Sequence, residues 1–150
     1  MQNNKSQYKN IHSIIIKNDM KLAHSQVVEP IIAQLAEKGY CQQDQFAIRL
    51  GLEEALCNAY KHGNKADPEK TISVKWSVDE DKTVIWVADC GDGFDPNAIP
   101  DPREEENIEK PSGRGLLLIK AYMSEVLFNE KGNELCMIKR KGDKAVEDKI

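Results

Sequence analysis

One stretch of the chain, residues 53–64, carries polar residues whose spacing allows them to act together. If this stretch is helical, Glu54, Asn58 and Lys61 stand at i, i+4 and i+7 and place a carboxylate, a carboxamide and an ammonium on one stripe. The other side is apolar and suited to packing on a sheet; it carries Ile48, Leu52, Ala55, Leu56 and Ala59. The pattern predicts a helix with chemistry on one side and packing on the other.

Two glycine pairs follow this stretch. Gly91 and Gly93 come after a predicted central strand, and Gly113 and Gly115 open a later helix. Glycine lets a backbone approach a ligand closely, and N–H groups at a helix start attract anions, so residues 113–116 are a candidate phosphate site. Each pair taken alone is weak evidence and is better explained by turn geometry. The chain has no G-x-x-x-x-G-K-[ST] sequence, which excludes a P-loop protein.

The elements that position these residues are recognised from hydrophobic period and turn signals. Predicted strands lie at about 10–17, 71–78, 83–88, 126–129 and 134–139, and predicted helices lie at about 22–38, 43–62 and from 112 onward. Pro30 must kink the first helix or start its main part, and Gly39 ends it. The proline-rich connection at 96–112 has the length of a lid or binding loop. The predicted fold class is α+β: a single-domain two-layer sandwich with an antiparallel or mixed sheet and helices on one face.

Composition narrows the class of protein. The 150 residues suffice for one domain, predicted at 10–140, between a disordered tail at 1–9 and a charged tail at 141–150. A net charge of -4 gives no basic footprint for nucleic acid. No apolar run is long enough for a signal peptide or a membrane span, so we expect a cytoplasmic protein. The cysteines are far apart, which predicts reduced, mostly buried thiols; they are Cys41, Cys57, Cys90 and Cys136.

The order of the motifs is more specific than any one of them. E-x-x-x-N-A-x-x-H-G, then D-x-G-x-G-F-D, a lid-like loop and S-G-R-G-L resemble the three nucleotide-binding boxes of the Bergerat-fold (GHKL) ATPases. Pro100-Asp101-Pro102, the run from Pro111 to Ile119 and Met123-Ser124-Glu125-Val126 look like the bacterial anti-sigma-factor serine kinases. The resemblance extends from about Ile11 to Lys139.

This resemblance implies roles for the polar stripe. Asn58 would hold Mg²⁺ against the phosphates of ATP, and Glu54 would be the general base for the attacking hydroxyl. Lys61 matches a phosphate-contacting lysine of histidine-kinase relatives, which is a more distant analogy. Glu53 is a surface charge or a fallback base. His62 is interpreted as structural.

The resemblance also implies a nucleotide pocket. Asp89 would accept a hydrogen bond from the adenine amino group, and Gly91 and Gly93 would let the chain pass beside the base. Around the phosphates, the end of the lid would be shaped by Gly113, Arg114, Gly115 and Leu116. For Arg114 an ordinary surface position is an equal alternative. Trp76 and Trp86 are expected in the core.

The implied function is a kinase that uses ATP and Mg²⁺, binds a sigma factor and phosphorylates an anti-anti-sigma protein on serine, as a homodimer. The alternative is a regulatory module that binds ATP and switches partners without phosphotransfer. A sensor histidine kinase is disfavoured, because only about 50 residues precede Glu54, too few for long dimerisation helices at ~1.5 Å per residue. His12 and His24 also lie in a predicted strand and near the start of a predicted short helix, where no phosphoacceptor module is visible.

Overall fold

A computed structural model describes residues 5–8, 10–91 and 111–143. Its strands are β1 (His12–Lys17), β2 (Thr71–Val78), β3 (Lys82–Ala88), β4 (Glu125–Phe128) and β5 (Glu134–Arg140). Its helices are α1 (Met20–Ala23), α2 (Glu29–Glu37), α3 (Gln42–Asn58) and α4 (Pro111–Tyr122). π-Helical turns follow α1 at His24–Val28 and α3 at Ala59–Gly63. No helix within the described ranges is both long and apolar enough to cross a membrane.

The strands form one sheet in the order β1-β2-β3-β5-β4, and all four neighbouring pairs are antiparallel. The predicted α+β sandwich is confirmed, with the antiparallel rather than the mixed arrangement in the described sheet. β3 is the central strand, as its apolar composition predicted: Ile85 lies opposite Trp76 on β2 and Met137 on β5. The β2–β3 connection is the predicted hairpin, in which Asp79 Oδ1 accepts from the Lys82 N–H at 2.8 Å.

The helices cover one face of the sheet. Ile48, Leu52 and Leu56 of α3 are fully buried in the main core, which confirms the predicted apolar face. α4 packs along α3, and the side chain of Met123, just after α4, lies against Gly51, where a Cβ would be 2.8 Å from Met123 Cε. One side of α3 is therefore committed to packing.

The first predicted helix is interrupted rather than continuous. Asp19 caps α1, accepting from the Lys21 and Leu22 N–H groups at 2.8 and 3.3 Å, and the π-helical turn then separates α1 from α2. Pro30 lies in the first turn of α2, directly after the π-helical turn, so it starts the main part of the helix.

α2 ends where glycine predicted. Gly39 adopts φ 81°, and the Tyr40 N–H donates to Leu35 O at 3.0 Å across the turn, closing the helix with a left-handed residue. The Tyr40 hydroxyl donates to Asp79 O at 2.9 Å and so ties this corner to the β2–β3 hairpin.

The second face of the sheet carries a smaller cluster of buried residues, namely Val84, Trp86, Cys136 and Ile138. Tyr8 packs edge-on against Trp86 at 5.4 Å between ring centroids, and Lys5 pairs with Glu134 at 3.0 Å. These contacts join residues 5–8 to the second face of the sheet. Trp76 and Trp86 are both buried, as predicted.

The prediction of mostly buried thiols is wrong. All four cysteines are free, but Cys41 and Cys90 are exposed, Cys57 is half-buried and only Cys136 is buried. The reason is positional: Cys41 precedes α3 and Cys90 follows β3, so both lie at ends of elements, where composition does not indicate burial.

Candidate functional site

The polar stripe lies in the last turns of α3. Glu54 and Asn58 are both in the α-helical part, one turn apart and half-buried. Neither side chain makes a hydrogen bond or ion pair within the described ranges. The adjacent Glu53 differs, because its carboxylate lies 3.5 Å from His24 Nε2. Of these two neighbouring carboxylates, Glu54 is therefore the one left available to a ligand.

The helix changes type directly after Asn58. The Asn64 N–H donates to Ala59 O at 2.8 Å, an i to i+5 bond that closes a π-helical turn. Such turns are wider than α-helical ones and occur often at functional sites. Lys61 lies in this turn with an exposed side chain, so α-helical geometry alone does not set it on the stripe of Glu54 and Asn58. Its contact with phosphate stays a prediction.

Asp89 lies just beyond β3, where the central strand ends. Its half-buried carboxylate accepts the Gly91 N–H through Oδ1 at 2.7 Å. Burial raises the pKa of Asp89 above its ordinary value, and the Gly91 N–H opposes this shift. Oδ2 accepts no hydrogen bond from the described residues. The carboxylate is thus held through Oδ1, and Oδ2 can accept a hydrogen bond from an amino group of a ligand.

Two glycines let the end of α3 meet the end of β3. A Cβ on Gly63 would lie 2.0 Å from Asp89 Oδ2, and a Cβ on Gly91 would lie 2.2 Å from Gly63 O. Any side chain at either position would thus displace the carboxylate or the backbone. No site role was predicted for Gly63, although it ends the H-G pair of the first motif.

The structure describes some of the remaining predicted site residues and not others. Gly113, Arg114 and Gly115 lie in the first turns of α4, which begins at Pro111, so the prediction that they open a helix is confirmed. Leu116, next in the helix, is half-buried. Gly93 lies outside the described residues. Because α4 packs along α3, the helices that carry the first and third motifs lie side by side.

These groups fit an adenine nucleotide with its metal. Asp89 offers a carboxylate oxygen to an amino group, and Asn58 offers a carboxamide oxygen of the kind that Mg²⁺ accepts. The described residues contain no group of three or more His, Cys, Asp or Glu side chains that could hold a metal ion. Mg²⁺ usually keeps several waters and takes oxygens from phosphates, so one protein ligand is compatible with it.

The comparisons with known proteins agree with this fold and these motifs. The profile of the histidine kinase-like ATPase domain matches residues 20–139, and the chain belongs to this family. It is similar to the serine-protein kinase RsbW of Bacillus licheniformis, with 30% identity over 143 residues, 90% of this chain and 89% of that protein. It is also similar to RsbW of Listeria monocytogenes serovar 1/2a, with 30% identity over 108 residues, 67% of this chain and 69% of that protein.

A solved structure shares the fold. The crystal structure of the RsbU and RsbW domains of Rv1364c from Mycobacterium tuberculosis matches with a TM-score of 0.59 and 18% identity. The match covers 91% of this chain and 34% of that chain, so the present chain corresponds to about a third of it. Together with the family match, this likeness confirms the predicted Bergerat-type fold class.

Proposed function

We propose that this protein is an ATP-dependent serine-protein kinase that binds a sigma factor and phosphorylates an anti-anti-sigma protein on serine. The observation that carries the proposal is the meeting of Gly63 and Asp89, which joins the end of α3 to the end of β3. Farther up the same helix, Glu54 and Asn58 are unengaged by the described residues. Relatives named serine-protein kinases over nearly the whole chain support the reaction type.

In this proposal the adenine end of the nucleotide is recognised at Asp89. The carboxylate accepts the adenine amino group through the oxygen that Gly91 leaves vacant, and it selects against guanine, which carries a carbonyl oxygen at that position. Gly91 and Gly93 have no side chain, which lets the backbone pass close beside the base.

The phosphate end is held by a different set of groups. Asn58 gives its carboxamide oxygen to Mg²⁺, and Lys61 contributes a positive charge from the π-helical turn. The first turn of α4, which contains Gly113, offers backbone N–H groups to the phosphates. Arg114, Gly115 and Leu116 follow in the helix and shape the neighbouring part of the phosphate site. Mg²⁺, when bound, neutralises charge on the phosphates and orients them.

Glu54 acts as the general base. Its carboxylate takes the proton from the serine hydroxyl of the partner protein as that oxygen attacks the γ-phosphate, and ADP leaves with its negative charge. In phosphoryl transfer, positioning and charge neutralisation supply most of the catalysis, so the base need only accept a proton at the correct place.

In this proposal the kinase has two protein partners, and its regulation depends on which of them is bound. The sigma factor and the anti-anti-sigma protein compete for the kinase, and phosphorylation of the latter decides which one stays bound, a coupling between binding events. We further propose that the kinase acts as a homodimer in the cytoplasm.

The test is Glu54→Gln with Glu53→Gln as a matched control. Glutamine keeps the size of the side chain and removes the base, so we expect transfer of label from [γ-³²P]ATP to a purified anti-anti-sigma protein to fall roughly 10²- to 10⁴-fold. The affinity for Mg-ATP should change little. Glu53 already pairs with His24, so its substitution should leave transfer within a few-fold of the original rate.

Two outcomes would contradict the proposal. Undiminished transfer by Glu54→Gln would remove Glu54 as the base. Binding of ATP without labelling of any partner by the unmodified protein would indicate a nucleotide-dependent binding module instead of a kinase.

A further inference from the structure

The peptide unit between Asp89 and Cys90 is held from both edges by asparagines. On one edge, the Cys90 N–H donates to Asn64 Oδ1 at 2.8 Å. On the other, Asn133 Nδ2 donates to Asp89 O at 3.3 Å. The Asp89 N–H also donates to Asn133 O at 3.0 Å. The position of this peptide unit fixes the backbone from which the Asp89 side chain extends, and the Gly91 N–H holds the carboxylate itself, so the two asparagines help to position the acceptor from outside its own strand.

The side chain of Asn64 is itself held in one position by burial and hydrogen bonds. It is completely buried, and its Nδ2 donates to Asn18 Oδ1 at 3.0 Å and to Thr71 O at 2.9 Å. With Cys90 on its oxygen, every strong hydrogen-bonding group of the carboxamide is used. A buried polar network that is fully satisfied is rigid, and it is costly to leave half-satisfied.

Asn18 extends the network to the loop after the π-helical turn. It is 6% exposed, and its Nδ2 donates to Asp67 O at 3.1 Å. Asn64 also closes that turn through its own N–H. One side chain thus connects the end of β1, the end of the helix that carries Glu54, the start of β2 and the end of β3.

We propose that Asn64 is a positioning residue for base recognition, which acts by holding the Asp89–Cys90 peptide unit, with Asn133 as the opposite half of this clamp. The proposal rests on the proposed function, because it takes Asp89 to be the acceptor of the adenine amino group. Asn64 itself touches no ligand. Its effect is to keep the carboxylate where the amino group arrives, so that no binding energy is spent on ordering it.

The readout is selectivity between ATP and inosine triphosphate, which carries a carbonyl oxygen in place of the adenine amino group. The unmodified protein should prefer ATP. In Asn64→Ala the Asp89–Cys90 peptide unit loses one of its two holding side chains, and we expect the ratio of the two dissociation constants to fall about tenfold, the equivalent of one hydrogen bond. The affinity for inosine triphosphate should be nearly unchanged.

A purely structural role would give a different result. Loss of folded protein weakens both nucleotides equally and leaves the ratio intact. Tyr40→Phe serves as the control, because it removes a buried hydrogen bond far along the chain from Asp89 and should lower the melting temperature without changing the ratio. Melting temperatures of all variants are measured without nucleotide.

Asn133→Ala tests the other half of the clamp. Asn133 is only half-buried, and its loss leaves the Asn64 network in place. It too should lower the ratio. Unchanged ratios in Asn133→Ala and in Asn64→Ala, or in Asn64→Ser if the alanine variant does not fold, would overturn the clamp. If the unmodified protein itself shows no preference for ATP, the role of Asp89 fails first, and with it the proposed nucleotide site.

Discussion

Replacement of Asp89 by asparagine separates recognition from stability more sharply than other changes at the site. The substitution keeps an Oδ1 that can accept the Gly91 N–H, now 2.7 Å from the carboxylate. It replaces the vacant acceptor with an NH₂ group, which would face the adenine amino group donor to donor. A hydrogen bond to a charged group contributes about 1.5–3 kcal/mol, so we expect the affinity for ATP to fall roughly 10- to 150-fold.

The stability of the protein should not fall with it. Burial raises the pKa of Asp89, which means that the folded state disfavours its ionised form. A group with a raised pKa stabilises the fold at pH values below its unfolded-state pKa, and this contribution is lost as the pH rises through the folded-state value. The uncharged asparagine avoids the cost of burying an ionised carboxylate. Near neutral pH its melting temperature should therefore equal or slightly exceed that of the unmodified protein.

The assay is calorimetric titration with Mg-ATP and with the magnesium complex of inosine triphosphate, together with thermal unfolding in the absence of nucleotide. Asparagine can donate to the carbonyl of inosine triphosphate, so the preference should shift toward that nucleotide. Asp81→Asn is the matched control, since Asp81 is exposed and lies in the β2–β3 turn. It should bind ATP normally.

Low pH should weaken ATP binding in the same way as Asp89→Asn. As the pH falls through the raised pKa of Asp89, the carboxylate is protonated and loses the charge that strengthens its hydrogen bond, so the affinity for ATP should decline more steeply in the unmodified protein than in Asp89→Asn. Unaltered ATP affinity in the variant would refute the role of Asp89. A loss of affinity accompanied by a melting temperature lower by many degrees would show that Asp89 stabilises the fold instead.

Three further outcomes follow from the same geometry. Gly63→Ala and Gly91→Ala should each weaken ATP binding, because a Cβ at 63 would lie 2.0 Å from the Asp89 carboxylate that accepts the adenine amino group and a Cβ at 91 would lie 2.2 Å from Gly63 O; normal affinity of either variant by titration would contradict this. Tyr40→Phe should cost about 1 kcal/mol of unfolding free energy in denaturant melts, since it leaves Asp79 O without its donor, and an unchanged midpoint would argue against that bond. Burial raises the pKa of Tyr40 to about 12, so its stabilisation should be present below the ordinary tyrosine pKa and decline as the pH approaches 12, a decline that Tyr40→Phe should lack.

Much of the fold could be predicted from local signals. The alternation in β2, the apolar run of β3 and the glycine stop at Gly39 each depend on neighbours in sequence, and the structure confirms all three. The apolar side of α3 was equally readable, because a helix repeats its faces at a fixed period. What local signals could not supply was the π-helical turn after Asn58, which contains Lys61 and departs from that period.

The sequence by itself determined which groups are present and in what order: a carboxylate and a carboxamide one turn apart, an aspartate after a central strand, and glycines on both sides of a long connection. Only the tertiary structure decided that the Glu53 carboxylate lies 3.5 Å from His24 Nε2 while Glu54 makes no hydrogen bond or ion pair with a described residue, because that depends on where the π-helical turn at His24–Val28 brings His24. It likewise decided that Asn64 and Asn133, which lie 25 or more residues from Asp89 along the chain, hold the same peptide unit. Hydrogen bonds between such distant residues form only once the sheet and helices have packed, and no periodicity in the sequence encodes them.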